Sequence, residues 1–308
     1  MSAELRSDVD RPRALLTGRN GFTGSYVAAE LEAAGYDVVG LSDHQIANDA
    51  GSITANLLDR EAVRAAVTLV QPDVVVHLAA ISFVAHGDVD EIYRVNVIGT
   101  RNLLEALSQL AQRPEIVVLA SSANIYGNAE VEPITEDTLP APANDYAVSK
   151  LAMEHMARLW MDRLPLVVTR PFNYTGKGQS AQFLIPKIVE HFRRGDRVIE
   201  LGNTAVARDF GDVRDVAKAY SAIVKTRPVG HTVNICSGVG HSLNDVLDLM
   251  AAIAGYAIEV RVNPAFVRSN EVARLVGSHA RLAKLTGWYP HFTLAQTLAW
   301  QYAAISTL

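Results

Sequence analysis

ALLTGRNGFTG, residues 14–24, decides the fold. A short apolar run ends in a loop that carries Gly18, Gly21 and Gly24, and this loop opens a helical pattern that continues through Leu31. Glycines at these places permit a tight turn, a close approach of the backbone to a pyrophosphate and close packing of helix on strand. The free N–H groups and the dipole at the start of such a helix favour an anion. Glycines also form ordinary turns, but this position between strand and helix predicts a unit that holds a dinucleotide.

Working outward from this unit, short apolar runs alternate with longer amphipathic stretches. The apolar runs are DVVGLS (37–42), PDVVVHLAA (72–80), EIVVLASS (115–122) and PLVVTRPFN (165–173). Helical patterns stand between them, around residues 60–69, around residues 93–110 and from Tyr146 onward. Strands that alternate with helices indicate a doubly wound parallel sheet, and their continuous apolar character indicates that both faces are covered. We therefore predict an α/β protein built on a Rossmann domain.

Beyond Tyr174 the pattern changes, and a second, smaller lobe is expected. Segment 207–224 is predicted to return the chain to the first lobe, and segment 231–238 to add a strand there. The predicted dinucleotide-binding domain comprises residues 1–173 and about 208–239. The predicted substrate-binding lobe, mostly C-terminal, comprises about 174–207 and 240–308. The sequence has no low-complexity linker, so the two lobes are expected to share a cleft.

Composition narrows the possible partners and the compartment. A net charge of −5 gives no reason to expect nucleic acid or an acidic membrane surface as a partner. A single cysteine, Cys236, excludes an intrachain disulfide and fits a reducing compartment, and its apolar surroundings favour a core position. Residues 1–13 lack the apolar core of a signal peptide, and no apolar run reaches the length of about eighteen residues that a membrane helix needs. We therefore expect a soluble, cytoplasmic protein.

Tyr146 and Lys150 form a YxxxK pair whose side chains share one helix face. A free tyrosine has a pKa of about 10, and a nearby ammonium is expected to bring it toward neutrality. Such a tyrosine can exchange a proton with a substrate oxygen. Ser121 and Ser122 end an apolar strand at the sheet edge where these folds bind ligands, and Ser122 can orient the same oxygen. The pair alone could be an exposed amphipathic one, but with the glycine loop and the serines it favours catalysis by Ser122, Tyr146 and Lys150.

Taken together, the motifs resemble the extended short-chain dehydrogenase/reductases over nearly the whole chain and in the same order. The motifs are TGRNGFTG (17–24), HLAA (77–80), Asn96 in YRVNVIGT, SSANIYG (121–127), YAVSK (146–150) and RPFNYTG (170–176). Members of that family act mostly on nucleotide-activated sugars. The resemblance implies a nicotinamide cofactor and a nucleotide-diphosphate sugar as substrate. It also implies a homodimer formed by the helices near residues 93–110 and 146–160.

The resemblance further implies which residues contact the cofactor. They are Gly18, Asn20, Gly21, Phe22, Thr23, Gly24, Ser42, Asp43, Asn56, Leu57, Leu78, Ala79, Ala80, Asn96, Tyr146, Lys150 and Pro171. An acidic residue at the end of the second strand grips the ribose hydroxyl of NAD, whereas an Arg nearby accommodates the phosphate of NADP. Here Ser42 ends the strand, Asp43 follows and no Arg comes after them. Both NADP(H) and NAD(H) stay open, with a slight preference for NADP(H).

The reaction is narrowed by the residues that follow Ser122. Dehydratases of the family carry an acidic pair at the positions of Ala123 and Asn124, and an amide cannot serve as the general base of an elimination. A 4-keto reductase and a 4-epimerase with tightly bound NAD remain. SSANIYG resembles the epimerases, whereas the C-terminal half, above all GSHARL (277–282), resembles the reductases that convert GDP-4-keto-6-deoxy-D-mannose to GDP-D-rhamnose. The reductase is preferred, and a non-catalytic dinucleotide-binding sensor or structural protein is the third alternative.

The expected substrate contacts lie in both lobes. They are Ser82, Ser122, Ala123, Asn124, Tyr146, Asn173, Lys187, Arg208, Arg268 and Glu271. Cations near a diphosphate form strong, charge-assisted bonds, although each of these charged residues could equally be a solvated surface group. None of the nine histidines pairs with another or with the cysteine at metal-ligand spacing, so no metal site is expected. The sequence leaves the base of the nucleotide and the configuration at C4 undecided.

Overall fold

A computed structural model describes residues 11–44, 51–82, 88–264 and 273–303. The strands are β1 (Arg13–Thr17), β2 (Asp37–Ser42), β3 (Ser52–Thr54), β4 (Val74–His77), β5 (Ile116–Ala120), β6 (Leu166–Pro171), β7 (Asn173–Thr175), β8 (Val198–Leu201), β9 (Ala207–Asp212), β10 (Thr232–Ile235), β11 (Gly240–Ser242), β12 (Glu259–Val262) and β13 (Arg274–Leu275). The helices are α1 (Phe22–Ala33), α2 (Arg60–Val70), α3 (Val89–Tyr93), α4 (Thr100–Ser108), α5 (Asp145–Arg158), α6 (Leu184–Arg193), α7 (Val213–Thr226), α8 (Leu243–Ala254), α9 (Ala280–Thr286) and α10 (Leu294–Tyr302). A π-helical segment (Arg94–Gly99) joins α3 to α4, and a 3-10 turn (Ala123–Tyr126) follows β5.

The largest sheet of the described chain is parallel and has the order β10-β6-β5-β4-β1-β2-β3. Consecutive side chains of its central strands are buried on opposite faces, as in β1, where both Leu15 and Leu16 are inaccessible to solvent. Leu16 packs in a layer with α1 and α7, and Leu15 packs in a layer with α2, α4 and α5. Burial of one such side chain contributes about 1.5–3 kcal/mol. The predicted Rossmann fold, covered on both faces, is confirmed.

A smaller sheet lies among the later elements. In it β9 pairs with β7, β11 and β13, and β8 pairs separately with β12. A second core joins α6, α8 and α10 to these strands. Segment 207–224, predicted to return to the first lobe, is divided: its strand β9 belongs to the smaller sheet, whereas its helix α7 packs against α1. Segment 231–238 contains β10, which joins the large sheet as predicted. The two-lobe boundaries themselves stay a prediction.

None of the helices in these described stretches is long and apolar enough to cross a membrane. Within the same residues, no group of three or more His, Cys, Asp or Glu side chains is placed to hold a metal ion. Cys236 is buried among apolar side chains, and burial raises the pKa of its thiol. This surrounding favours the thiol form, so Cys236 packs as a core residue.

Candidate active site

The glycine loop connects β1 to α1 with almost no room for side chains. Gly18 has a φ of +72°, which favours glycine. It also lies close to the turn that follows β4, where an added Cβ would be 3.1 Å from the Ala79 nitrogen. A Cβ on Gly24 would stand 1.9 Å from the Gly18 carbonyl oxygen. Helix α1 begins after Gly21 without a side-chain cap and has no acidic residue in its first turn. This end of α1 therefore presents backbone N–H groups and a positive dipole, as a bound pyrophosphate requires.

The other predicted cofactor residues lie at the carboxyl ends of the parallel strands, which share one edge of the sheet. Ser42 ends β2, and Leu78, Ala79 and Ala80 follow β4. The turn after β4 is held to β1, since the Ala79 N–H donates to Thr17 Oγ1 at 3.0 Å. Pro171 ends β6, and Asn56 and Leu57 follow β3. These residues fit an extended dinucleotide that crosses the strand ends.

Arg19 is a residue of this edge that the sequence analysis did not single out. Its side chain crosses β2, where a Cβ on Gly40 would lie 2.9 Å from Arg19 Cδ. Its guanidinium reaches Gly51, where an added Cβ would lie 2.8 Å from Nη1, and Nη2 donates to Glu32 at 3.1 Å. The absence of an Arg after Ser42 therefore does not leave the end of β2 without a cation. Arg19 lies in the loop after β1, and the folding of this loop places its side chain next to β2.

The catalytic residues predicted from the sequence meet at the ends of β5 and α5. Asn144 caps α5 by accepting from the Ala147 N–H at 2.9 Å, which places Tyr146 in the first turn and Lys150 one turn later. Lys150 Nζ lies 5.9 Å from the centroid of the Tyr146 ring and donates to the Ala120 carbonyl at 2.8 Å. Ser122 caps the 3-10 turn by accepting from the Asn124 N–H at 3.1 Å. The Ser122 side chain lies close enough to the Tyr146 hydroxyl to affect its pKa.

The expected depression of the Tyr146 pKa is wrong. Burial raises the pKa of Tyr146 to about 12, although the hydrogen bond with Ser122 lowers it. Burial also lowers the pKa of Lys150 to about 8, against the opposing effect of Glu154. The spacing of the pair is correct, but burial is the largest cause of both shifts and disfavours the charged form of each group. At neutral pH the phenol is therefore protonated and the amine is an ammonium.

A buried chain of hydrogen bonds connects the cofactor edge to the catalytic helix. Thr17 Oγ1 accepts from the Ala79 N–H and lies 2.7 Å from His77 Nδ1, to which it donates because the proton of the neutral ring is on Nε2. Thr100 Oγ1 donates to the Asn96 carbonyl, so it accepts from His77 Nε2–H at 2.9 Å. Burial, and then the charge of Lys150, lower the pKa of His77 to about 3, which keeps the ring neutral as these bonds require. His77 is thereby fixed in one tautomer, and it supports the π-helical segment that carries Asn96.

Asn96 lies in that π-helical segment and is buried. Its amide bonds the N–H and the carbonyl of Ile81 at 2.9 and 3.1 Å, and it donates to Ser149 at 3.0 Å. Ser149 in turn donates to the Tyr146 carbonyl at 2.8 Å. Asn96 therefore positions the segment after β4 against the catalytic helix, and its amide contacts the protein on both sides.

The predicted substrate residues are brought together only in part. Ser122 and Tyr146 lie near each other, whereas Ala123 is buried in a core cluster with Phe172 and Cys236. Asn124 is half-buried in the 3-10 turn, and Asn173 is exposed on β7. Ser82 is exposed after the turn of Leu78–Ala80.

Two predicted cations bond the protein itself: Lys187 Nζ donates to the Glu200 carbonyl at 2.9 Å, and Arg208 Nη1 donates to the Ala207 carbonyl at 2.9 Å. Arg268 and Glu271 lie outside the described residues. Asp43 is exposed and bonds His44 at 2.6 Å.

Comparison with known proteins places this geometry in a family. Residues 14–236 match the NAD dependent epimerase/dehydratase family. The chain belongs to this family. It is 33% identical to GDP-6-deoxy-D-talose 4-dehydrogenase of Aggregatibacter actinomycetemcomitans, over 92% of this chain and 94% of that protein. It is 34% identical to GDP-6-deoxy-D-mannose reductase of Pseudomonas aeruginosa, over 93% of this chain and 94% of that protein.

Solved structures agree with the assignment to the epimerase/dehydratase family. A crystallised protein of Burkholderia cenocepacia J2315, described as a candidate epimerase, is 50% identical with a TM-score of 0.89 and covers 96% of this chain and 100% of its own. RMD of Pseudomonas aeruginosa, complexed with NADPH, is 32% identical with a TM-score of 0.82 and covers 95% and 97%. The predicted membership of the extended short-chain dehydrogenase/reductases is confirmed. The chain is an NAD(P)-dependent enzyme of a family that modifies nucleotide sugars.

Proposed function

We propose that the protein reduces the C4 keto group of GDP-4-keto-6-deoxy-D-mannose to give GDP-D-rhamnose. The observation that carries this proposal is the buried Tyr146, with Lys150 Nζ 5.9 Å from its ring centroid and Ser122 near its hydroxyl, beside positions 123 and 124 that hold no acidic side chain. This site can protonate an oxygen but offers no carboxylate for an elimination. The substrate class is supported by two relatives named for GDP-linked 6-deoxy sugars that differ at C4.

The catalytic residues divide the work on the keto oxygen. Tyr146 donates its proton to the alkoxide that forms at C4, and Ser122 donates a hydrogen bond to the same oxygen. The Lys150 ammonium stabilises the tyrosinate left behind. The glycine loop, the Leu78–Ala80 turn and the end of β6 would hold the nicotinamide cofactor, which supplies the hydride when bound. Placing both reactants in one dry cleft accounts for a large part of the rate.

The charge of Lys150 gives the reduction an expected pH dependence. The phenol stays protonated up to about pH 12, whereas the ammonium is lost as the pH rises through about 8. We therefore expect kcat to be level below pH 8 and to fall above it, because the tyrosinate then forms without a counter-ion. A pH profile of kcat checks this. Lys150→Arg keeps its charge at every pH, so its profile should lack this fall, and an identical fall in both proteins would contradict the assignment.

NADP(H) is the proposed cofactor, with Arg19 as the partner of its 2′-phosphate. Arg19 lies across β2, whose end receives the adenosine ribose in this fold. Loss of a charge-assisted bond costs about 1.5–3 kcal/mol, so Arg19→Ala should raise the Kd of NADP+ by roughly 10–100-fold and change that of NAD+ little. Isothermal titration calorimetry measures both. Arg64→Ala, at an exposed ion pair on α2, is the control. Equal losses for the two cofactors would exclude Arg19 from this role.

The nucleotide sugar is proposed to lie between the strand ends and β7. Ser82, Ala123 and Asn124 would line the sugar, and Asn173 would bond the diphosphate. To bind a phosphate, Arg208 on β9 would have to break its hydrogen bond to the Ala207 carbonyl. Lys187 on α6 would likewise have to break its hydrogen bond to the Glu200 carbonyl. Asn173 is therefore the residue of the smaller lobe whose exposure best supports the proposal.

The proposed oligomer is a homodimer formed by the helices α4 and α5. Ile98, in the π-helical segment that leads into α4, is 47% exposed, Val148 on α5 is 38% exposed, and Leu159 directly after α5 is 78% exposed. A dimer formed by these helices would cover such apolar side chains. Because burying an unpaired charge costs several kcal/mol, Val148→Glu should weaken the dimer by about tenfold or more. Sedimentation equilibrium measures the change. Leu139→Glu alters a loop residue that is 84% exposed, away from these helices, and should leave the dimer intact. An unchanged dimer in the Val148→Glu protein would exclude this interface.

The deciding experiment follows the absorbance of the reduced nicotinamide in the presence of GDP-4-keto-6-deoxy-D-mannose. Loss of absorbance that depends on the sugar supports the reductase. The alternative is a nucleotide-sugar 4-epimerase with tightly bound NAD, favoured by the 50% identity to a candidate epimerase. That enzyme would show no net loss, would carry NAD through purification, and would convert one of a set of GDP-, UDP- and dTDP-sugars to its C4 epimer.

A further inference from the structure

Tyr174 joins the first turn of α1 to strand β7. Its hydroxyl lies 2.8 Å from Thr23 Oγ1, which is 151 residues away in the sequence. Its ring stacks on Phe22, with centroids 6.1 Å apart and an interplanar angle of 15°. One turn farther along α1, Tyr26 Oη donates to the Lys177 carbonyl at 2.9 Å. Two hydrogen bonds and a ring contact thus tie the start of the helix to the chain that enters the smaller sheet.

The partners on either side of Tyr174 belong to different binding sites. Phe22 and Thr23 lie between Gly21 and Gly24 in the first turn of α1, where the cofactor pyrophosphate is expected. Asn173, the neighbour of Tyr174 in β7, is the proposed contact of the sugar diphosphate. Adjacent residues of a strand point to opposite faces, so Tyr174 contacts α1 while Asn173 is exposed on the other side. The strand itself is paired with β9, where Asn173 lies opposite Phe210.

We propose that Tyr174 is a positioning residue that couples the cofactor site to the nucleotide-sugar site. An anion bound at the start of α1 restricts the motion of the turn that carries Thr23. The hydrogen bond between the Thr23 and Tyr174 hydroxyl groups then restricts Tyr174, and with it Asn173 on the opposite face of the strand. Coupling between two sites is reciprocal, so each ligand strengthens the binding of the other by the same factor. The inference rests on the proposed nucleotide-sugar site and names the residue that links it to the cofactor.

The test measures the Kd of GDP, UDP and dTDP by calorimetry, for the protein alone and for the protein saturated with NADP+ or NAD+, whichever binds more tightly. In the wild type the accepted nucleotide should bind about fivefold or more tightly when the cofactor is present. Tyr174→Phe and Thr23→Val each remove one hydroxyl of the pair and nearly keep the shape. In both variants the ratio should fall to within about twofold of unity.

Tyr256→Phe is the matched control. Tyr256 Oη donates to the Phe192 carbonyl at 2.8 Å and packs against the core of α6, α8 and α10, whereas Tyr174 packs against the layer that contains α1 and α7. Its removal should lower thermal stability and leave the coupling ratio unchanged. A wild type without coupling, or a Tyr174→Phe protein that keeps it, overturns the inference. Binding of UDP or dTDP in place of GDP overturns the GDP assignment alone, since the ratio is then measured with that nucleotide; if none of the three binds, both proposals are overturned.

Discussion

Tyr146→Phe should lower turnover of the keto sugar by about 100- to 10,000-fold, the usual contribution of a positioned general acid. The substitution removes the hydroxyl and keeps the ring, which is 8% exposed and packed at the start of α5. Fold and cofactor binding should therefore survive. The measurement is kcat in the absorbance assay, with circular dichroism and the Kd of the cofactor recorded on the same preparation.

A matched substitution separates the loss of this hydroxyl from the general effect of replacing a tyrosine. Tyr256 Oη donates to the Phe192 carbonyl at 2.8 Å and packs against the core of α6, α8 and α10. Tyr256→Phe removes one hydrogen bond of similar length and should change kcat by less than about twofold, since a typical bond contributes only about 0.5–1.5 kcal/mol to stability. Turnover of Tyr146→Phe at the wild-type level would remove Tyr146 from the mechanism.

The sequence predicted the elements whose pattern is long and regular. The run 37–42 is found as β2, and the run 115–122 contains β5, because continuous apolar strands must lie between two layers. The glycine loop and the YxxxK pair were also found from the sequence, since both depend on spacing along the chain. In each case local order alone determines which residues share a strand or a helix face.

The missed elements have local patterns too short to be recognised. β7, β11 and β13 contain two or three residues each and exist because β9 supplies a partner. The helix predicted around 93–110 is interrupted by the π-helical segment, whose extra residue turns Asn96 toward Ile81 and Ser149. Strand pairs and buried hydrogen bonds of this kind join residues that are far apart in the chain. The hydrophobic periodicity of the sequence therefore does not predict them.

The same limit applies to the charges of the site. Spacing put Lys150 near Tyr146 and suggested a lowered pKa for the phenol, but burial of both groups is a property of the packed fold and reverses the direction. The sequence did not point to Arg19, because a cation for the 2′-phosphate was expected after Ser42 and Arg19 comes before β2 in the chain. The loop instead returns Arg19 to the end of β2 from the preceding strand. Chemistry set by residue type was predicted, whereas chemistry set by depth and by contacts through space required the structure.

Arg170→Met should lower stability by about 3–5 kcal/mol, because it leaves a buried carboxylate without its partner. Arg170 and Glu154 are 5% and 2% exposed, and they form two parallel bonds of 3.0 and 2.7 Å between β6 and the catalytic helix. Arg170 also donates to Tyr126 Oη at 2.9 Å, so the substitution releases the turn that follows Ser122. Thermal unfolding should show a Tm lower by roughly 6–15 °C, and kcat should fall as well.

An exposed ion pair of the same geometry serves as the control that tests whether burial causes the loss of stability. Arg274 bonds Glu132 through two bonds of 2.6 and 2.7 Å, but the two side chains are 56% and 42% exposed. Arg274→Met should therefore lower stability by less than about 1 kcal/mol. The double variant Glu154→Met with Arg170→Met removes both buried charges and should regain part of the lost Tm, since an apolar pair of similar volume replaces a buried ion pair at little cost. Equal losses from Arg170→Met and Arg274→Met would show that the Arg170–Glu154 pair does not depend on its burial.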